Sequence, residues 1–266
     1  MVQWRLIPFL ETSGAVQMAI DEWLLDQHRM GHMPPTLRFY AWSPIAVSLG
    51  YHQHRYPATW HSLKWNGQDI DIVCRPSGGR AVLHQGDLTY AIIVSSHHIT
   101  NTATLKRSEM YRRLCQFLID GFRRLDVELS YGTAGRGYIH NPNCFGTATA
   151  ADLVLADGTK LVGSAQLRRG SAILQHGSIR INPDSGLFQQ VFGQEASLPT
   201  LMQWRASSLF SSRNDYSTIR KTFIDVLTEA ASNCFAMDYI VEPLSSSEWN
   251  SALEQSHKWH KLAREK

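Results

Sequence analysis

The chain has 266 residues, 43% of them hydrophobic and 18% charged, enough apolar material for a sizeable core, which excludes an intrinsically disordered protein. The 26 Lys and Arg exceed the 23 Asp and Glu by only 3, too little for the field of a dedicated nucleic-acid binder, so nucleic acid is not an expected partner. The longest uninterrupted apolar run, Tyr90 to Val94, has five residues, against about 20 for a membrane-spanning helix. The opening residues lack the apolar stretch and small-residue cleavage site of a secretory signal. No membrane and a cytoplasmic location are therefore expected.

Nothing in the sequence reads as a linker, which predicts one domain over residues 1–266, its part from about residue 211 being helical. In chain order, an extended opening leads to a helix that Ser13 can cap and that runs to Arg29, with Val16, Ile20, Trp23 and Leu24 at helical spacing. LRFYAW and IAVSLGY, broken by Ser43 and Pro44, read as paired strands around a tight connection. A strand ending in Ile72 and Val73, a glycine loop at Ser77 to Gly79, and a doubly buried strand LTYAIIV follow. Met110, Leu114, Phe117, Leu118 and Leu125 mark an amphipathic helix over about 108–125. Between Asp152 and Ile181 the pattern is a three-stranded meander, with Asp157 and Gly158 as its hairpin turn. Two helices, one through Ile219, Phe223, Val226 and Ala230 and one from Ser247, close the chain. The class is α+β, with a mixed, largely antiparallel sheet flanked by helices.

Candidate chemistry is sparse. The loop RPSGGRAVLH, Arg75 to His84, has two adjacent glycines between strands, which permit positive φ and close approach of a ligand. It matches neither a P-loop nor a dinucleotide fingerprint. None of the four cysteines, Cys74, Cys115, Cys144 and Cys234, has CxxC spacing, so free thiols are expected rather than disulfides or a zinc site. Cys144 lies in HNPNCFGTAT, a loop composition that makes it the accessible thiol and a candidate nucleophile. At an unperturbed pKa of about 8.5 it needs a nearby cation to be thiolate at neutral pH, and Lys160 is a candidate. Cys115 and Cys234 sit in apolar surroundings and read as core residues. The histidines lack metal-ligand spacing, so no metal is expected.

Taken together, QMAIDEWLL (Gln17 to Leu25), RPSGGRAVLHQGDLTYAI (Arg75 to Ile92), NCF (Asn143 to Phe145) and DGTKLVGSAQLRRGSAILQHGS (Asp157 to Ser178) resemble the lipoate/biotin protein ligase superfamily. Within it they most resemble the cysteine-dependent octanoyltransferases of lipoate assembly, over most of Gln17 to about Ile181. The resemblance implies the biotin/lipoate ligase catalytic-domain fold and a narrow acyl tunnel. Substrate-binding positions would be Arg75, Ser77, Gly78, Gly79, Arg80 and His84 along the glycine loop, with Gly163, Ser164, Ala165, Gln166 and His176 on the facing strands. Its nucleophile corresponds to Cys144 and its lysine to Lys160, acting as a cation beside the thiol or as a base toward the attacking amine.

The activity implied is transfer of an octanoyl group from acyl carrier protein to a lysine of a lipoyl domain or a glycine-cleavage H-type protein, with no cofactor. An ATP- and magnesium-dependent lipoate-protein ligase, or a non-catalytic module binding acyl carrier or lipoyl domains, are the alternatives. Many members carry two arginines before the glycine loop, whereas here Cys74 precedes Arg75. That departure weakens a nucleotide site and favours the transferase.

Overall fold

The computed structural model describes residues 3–100, 105–132, 151–193 and 215–264. The chain begins with β1 (Gln3–Thr12), α1 (Gly14–Arg29), β2 (Thr36–Trp42) and β3 (Ala46–Leu49). After a 3-10 turn at Ala58–Ser62 come a small hairpin, β4 (Lys64–Trp65) and β5 (Gln68–Asp69), then β6 (Asp71–Cys74) and β7 (Val82–His84). Next are β8 (Asp87–Ser95), the short α2 (Ser96–Ile99), α3 (Arg107–Arg124), β9 (Ser130–Tyr131) and β10 (Leu153–Val154). The rest is β11 (Lys160–Arg169), β12 (Ala172–Arg180), α4 (Ser185–Phe192), α5 (Tyr216–Phe235), β13 (Asp238–Val241) and α6 (Ser246–Arg264).

The main sheet has eight strands in the order β13-β1-β2-β8-β12-β11-β10-β9. Pairing is parallel where β1 meets β13 and β2, and antiparallel elsewhere. β8 is buried at every position, as its unbroken apolar run predicts for a central strand covered on both faces. Helices α1 and α6 lie together on one face with a small sheet, β6-β3-β7, and enclose a core around Leu24, Val47, Val73, Leu174 and Trp259. On the other face α3 and α5 enclose a second core around Phe39, Ile92, Phe117, Phe122 and Phe223. The expected stripe, Met110, Leu114, Phe117, Leu118 and Leu125, is buried there together with Phe122.

Three expectations are corrected. β2 and β3 do not pair: β2 joins the main sheet between β1 and β8, while the chain turns at the cis Ser43–Pro44 bond and carries β3 into the small sheet. Both segments are wholly buried, and a run of buried residues identifies a strand without identifying its partner. The closing helices are separated by β13, an exposed four-residue edge strand too short to show alternation. Ser13 stands at the N-cap of α1 without a side-chain bond, whereas Asp184 and Asp215 do cap α4 and α5, each accepting from a backbone N–H at 2.8 Å. Among the described residues no helix is long and apolar enough to cross a membrane.

Candidate active site

Alternation along β11, β12, β8 and β2 decides what each face of the sheet offers. Register places Ala165 opposite His176, His176 opposite Ala91, Ser178 opposite Thr89 and Thr89 opposite Tyr40, so these side chains share the face covered by α1. There Ala165, His176, Ser178, Thr89 and Tyr40 line a narrow cavity of about 50 Å3, a slot rather than a chamber, together with Met18, Trp42, Ser48, Val82 and His84. On β11 the alternate residues Lys160, Ser164 and Gln166 line a second, wider cleft of about 700 Å3, walled by the first turns of α3 and by Asp152. Slot and cleft share Gly78, Gly79, Ser164 and Ala165, which therefore form the mouth between them.

Two polar relays make the slot wall rigid. In one, His176 sits between Ser77 Oγ, at 2.5 Å from Nε2, and Asp21 Oδ2, at 2.8 Å from Nδ1. Asp21 also takes hydrogen bonds from Arg38 at 2.8 Å and the Tyr40 hydroxyl at 2.9 Å. Burial raises the Asp21 carboxyl, but Arg38, His176 and Tyr40 together outweigh it and hold it below the usual carboxylate range. In the second relay, His84 Nε2 meets Ser48 Oγ and Nδ1 meets Asp87 Oδ2, both at 2.8 Å, while its ring stacks on Trp42 at 3.7 Å. Burial pushes the His84 imidazole below its ordinary value despite Asp87, so it presents a neutral ring to the slot. The Trp42 indole N–H donates to Thr89 Oγ1 at 2.8 Å, fixing the ring's other edge. A serine, histidine and acid in line resemble a hydrolase triad, but Ser48 and Ser77 are each 1% exposed and serve as partners that satisfy buried histidines.

The glycine loop is held from inside by Arg75. Its guanidinium donates to the Ser48 carbonyl at 2.9 Å, to the Gly78 carbonyl at 2.9 Å and to the Arg80 carbonyl at 2.7 Å. Gly79 has φ +98°, which a side chain rarely adopts, and a Cβ there would stand 2.7 Å from Arg75 Nη2. A side chain at Gly79 would thus strike the arginine that shapes the loop, whereas Gly78 has open space around it. Gly50 is small for a related reason: a Cβ on it would lie 1.9 Å from the Gly79 carbonyl oxygen.

In the cleft, Lys160 Nζ pairs with Asp152 Oδ1 at 2.8 Å, and both residues are 4% exposed. The Tyr111 hydroxyl ties the preceding Ala151 carbonyl, at 2.8 Å, to the Ser164 carbonyl, at 3.1 Å, and so fixes the segment bearing Asp152 against β11. Cys74 and Cys115 are fully buried, and burial pushes the Cys115 thiol up to about 12, so it is inert at neutral pH. Cys234, half buried, is pushed up to about 11. Cys144 lies outside the described residues.

The fold thus brings together Arg75, Ser77, Gly78, Gly79, His84, Gly163, Ser164, Ala165 and His176 around the slot and its mouth. It places Arg80, Lys160 and Gln166 in the cleft. Sequence reading did not single out Asp21, Arg38, Trp42, Tyr111 and Asp152. A signal existed for Asp21, an acid inside the otherwise apolar QMAIDEWLL; Tyr111 lies off the apolar stripe of α3 and gave none.

The fold and the paired slot and cleft are those of a single catalytic-type domain, and the chain belongs to the lipoyl protein ligase A/B catalytic domain family, whose model matches residues 13–229. Among curated relatives, "Octanoyltransferase LipM" of Anoxybacillus flavithermus is 38% identical over 197 residues, 71% of this chain and 69% of the relative. The protein of the same name from Bacillus cereus is 34% identical over 277 aligned positions, covering 99% of this chain and 95% of its own. A solved lipoate protein ligase from T. acidophilum with bound lipoic acid superposes with a TM-score of 0.73 at 22% identity, covering 96% and 95% of the two chains. At that identity it shows the shared fold, as expected from the sequence.

Proposed function

We propose that this protein transfers an octanoyl group from octanoyl-acyl carrier protein to a lysine of a lipoyl domain, or of a glycine-cleavage H-type protein, in protein lipoylation. The observation that carries the reading is the pairing of slot and cleft: a narrow cavity for an acyl chain whose mouth opens into the cleft that Lys160 lines. The relatives named octanoyltransferase support it over two thirds or more of the chain.

Cys144 is the proposed nucleophile. Its thiolate attacks the donor thioester carbonyl, and the resulting oxyanion collapses to expel the carrier's thiolate and leave an acyl-Cys144 thioester. The acceptor amine then attacks that thioester, expels the Cys144 thiolate and gives up its proton to solvent or to the leaving sulfur, yielding an amide. Lys160, held as half of a buried ion pair, serves as a fixed cation that favours the thiolate and the oxyanion. Gly78, Gly79, Ser164 and Ala165 guide the chain into the slot past His84 and His176, and Arg80 and Gln166 line the approach. Arg75 and Ser77 act by holding the loop and His176. The reaction requires no nucleotide or metal, takes place in the cytoplasm and involves no membrane or nucleic acid, and the whole chain acts as one domain.

Intact mass spectrometry after mixing with octanoyl-acyl carrier protein, without ATP, tests this. A single octanoyl adduct, released by hydroxylamine and lost in Cys144→Ala and Cys144→Ser but kept in Cys115→Ala, is the expected result. No adduct, with acceptor modification appearing only when ATP, magnesium and free lipoate are added, would overturn it in favour of a ligase.

A further inference from the structure

The cleft on the α3 face carries more positive charge than the reaction at Lys160 uses. Among the described residues its lining has Arg80, Arg107, Arg112 and Lys160 against a single acid, Asp152, and that acid is taken up by Lys160 at 2.8 Å. Neither Arg107 nor Arg112 forms an ion pair with a described residue, whereas Arg113 on the same helix pairs with Glu109 at 3.8 Å. Arg112 instead rests over the Tyr131 ring, 5.1 Å from its centroid. Beyond Gln166 on the same face of β11, Arg168 donates through Nε to Gln166 Oε1 at 3.1 Å, while its Nη2 is buried with no partner among the described residues. Burial and the charge of Arg107 lower the Arg168 guanidinium from its ordinary value. The stretches that lead in sequence into α3 and into Asp152, residues 101–104 and 133–150, contain neither Asp nor Glu, and the second contains Arg136.

Guanidinium groups gathered without acids between them repel one another, and an anion that joins them relieves the repulsion. Their planar forks match phosphate better than any other common anion except a carboxylate. An acyl carrier protein presents its acyl group on a thiol-ended arm, phosphopantetheine, joined to the protein through a phosphodiester, so the donor brings a phosphate at a set distance from its thioester. With about 13 bonds from sulfur to phosphorus, the extended arm reaches roughly 16 Å. The Tyr111 hydroxyl meets the Ser164 carbonyl, at the mouth, at 3.1 Å, and Arg107 stands four residues before Tyr111 on α3. One tyrosine side chain and one helical turn thus place the Arg107 backbone within about 16 Å of the mouth. The arm is long enough to span from a thioester at the mouth to a phosphate at these arginines.

On the reading that the protein transfers octanoyl groups, we propose that Arg107 and Arg112, backed by Arg168, bind the phosphodiester of the carrier's arm and so bring the thioester into register at the mouth. The contact is made to a part of the donor that does not react: no bond forms or breaks there, and the phosphate leaves with the arm once the acyl group has passed to the protein. It therefore acts on kcat/KM for donors that carry the phosphate and leaves donors without it untouched. A nucleotide offers the same phosphate chemistry and is the competing source. Losing one charge-assisted contact is worth about tenfold or more, so the effect is large enough to read.

The test compares two small donors, the octanoyl thioesters of pantetheine and of phosphopantetheine, which differ only in the phosphate. The rate of acyl adduct formation is measured for wild type, for Arg107→Gln and Arg112→Gln singly and combined, and for Arg113→Gln, which removes the same charge from the same helix outside the cleft lining. All three arginines are exposed, so the variants should fold, and circular dichroism checks this. In parallel, binding of unacylated pantetheine, phosphopantetheine and ATP is followed by calorimetry, which needs no turnover. Wild type and Arg113→Gln should prefer the phosphorylated donor by about tenfold or more in kcat/KM. The combined variant should lose that preference while using octanoyl-pantetheine as well as wild type does, and if it does not fold, the single variants decide. A wild type that forms no adduct, yet binds phosphopantetheine more tightly than pantetheine through these arginines, overturns the transfer reading and keeps the phosphate site. Equal use of the two donors by wild type, or a preference that survives in the folded variants, overturns the site. ATP that binds more tightly than phosphopantetheine and is lost in the same variants also overturns it, and assigns the arginines to a nucleotide.

Discussion

The two faces of β11 do different work with residues one position apart. On the α1 face, Gly163, Ala165 and the facing His176 belong to a narrow slot whose histidines are both paired with buried acids. On the α3 face, Lys160, Ser164 and Gln166 look into a cleft more than ten times larger, lined also by Arg80, Arg107 and Arg112. On the proposed function, one strand separates recognition from reaction because its side chains alternate, so the acyl chain and the groups that act on its carbonyl meet only at the mouth. The difference teaches that variants on one face should change which chain is accepted, and variants on the other how fast any chain reacts.

The largest effect should come from the cleft. Lys160→Met removes the cation while roughly keeping the side chain's bulk, and the rate of acyl transfer should fall by about 10²- to 10⁴-fold. The loss should shrink at higher pH, where Cys144 ionises without help. Hexanoyl, octanoyl and decanoyl donors should all be slowed in the same proportion, since the slot is untouched. Quenched-flow acylation against pH and chain length measures this. A changed chain-length ratio would break the separation of the two faces, and a wild-type rate would remove Lys160 from the reaction.

On the slot face the largest effect should be on stability. Asp21→Asn leaves Arg38, 1% exposed, facing a neutral amide, and breaking a buried pair from one side costs about 3–5 kcal/mol. The shift in urea midpoint reads that cost. Because Asp21 also anchors His176 in the slot wall, the folded fraction of the variant should bind octanoate less tightly than wild type. Unchanged stability would mean that the relay is not what joins α1 to the sheet.

How much of this could be read from the sequence follows the same division. The doubly buried β8, the amphipathic α3 and the Asp157–Gly158 hairpin were legible because each announces itself within about ten residues. Gly78 and Gly79 stood out as a loop that a ligand could approach and Lys160 as a candidate cation for Cys144, but their assignment to an acyl site, and His176 altogether, came only through resemblance, since a glycine pair or a lone histidine carries little chemistry by itself. Trp42 was read as part of an ordinary strand, and its place beside His84 depends on β2 and β7 belonging to different sheets. Asp152 and Tyr111 meet Lys160 and Ser164 only after long stretches of chain have folded back. Local periodicity contains no information on such partners.

The smallest effect is expected far from both slot and cleft, at the end of β8. Burial, reinforced by His97 and His28, lowers the His98 imidazole from 6.5 to about 4. The neutral ring is also required structurally, because His98 Nδ1 accepts a hydrogen bond from the Ser95 backbone N–H at 3.2 Å. Below pH 6.5 the unfolded chain binds a proton there that the folded chain refuses. This contribution is therefore complete above 6.5 and is lost progressively as pH falls toward 4. His28 and His84 are lowered in the same direction and add to the slope. His98→Asn keeps an acceptor for Ser95 but does not titrate, so the drop in melting temperature between pH 7 and pH 5 should shrink by a few degrees, a modest change because the ring is only partly buried. The chain-length profile at pH 7 should stay as in wild type. A variant whose melting temperature falls with acid as steeply as the wild type's would assign the acid sensitivity to His28 and His84, and a shifted profile would tie this end of β8 to the slot.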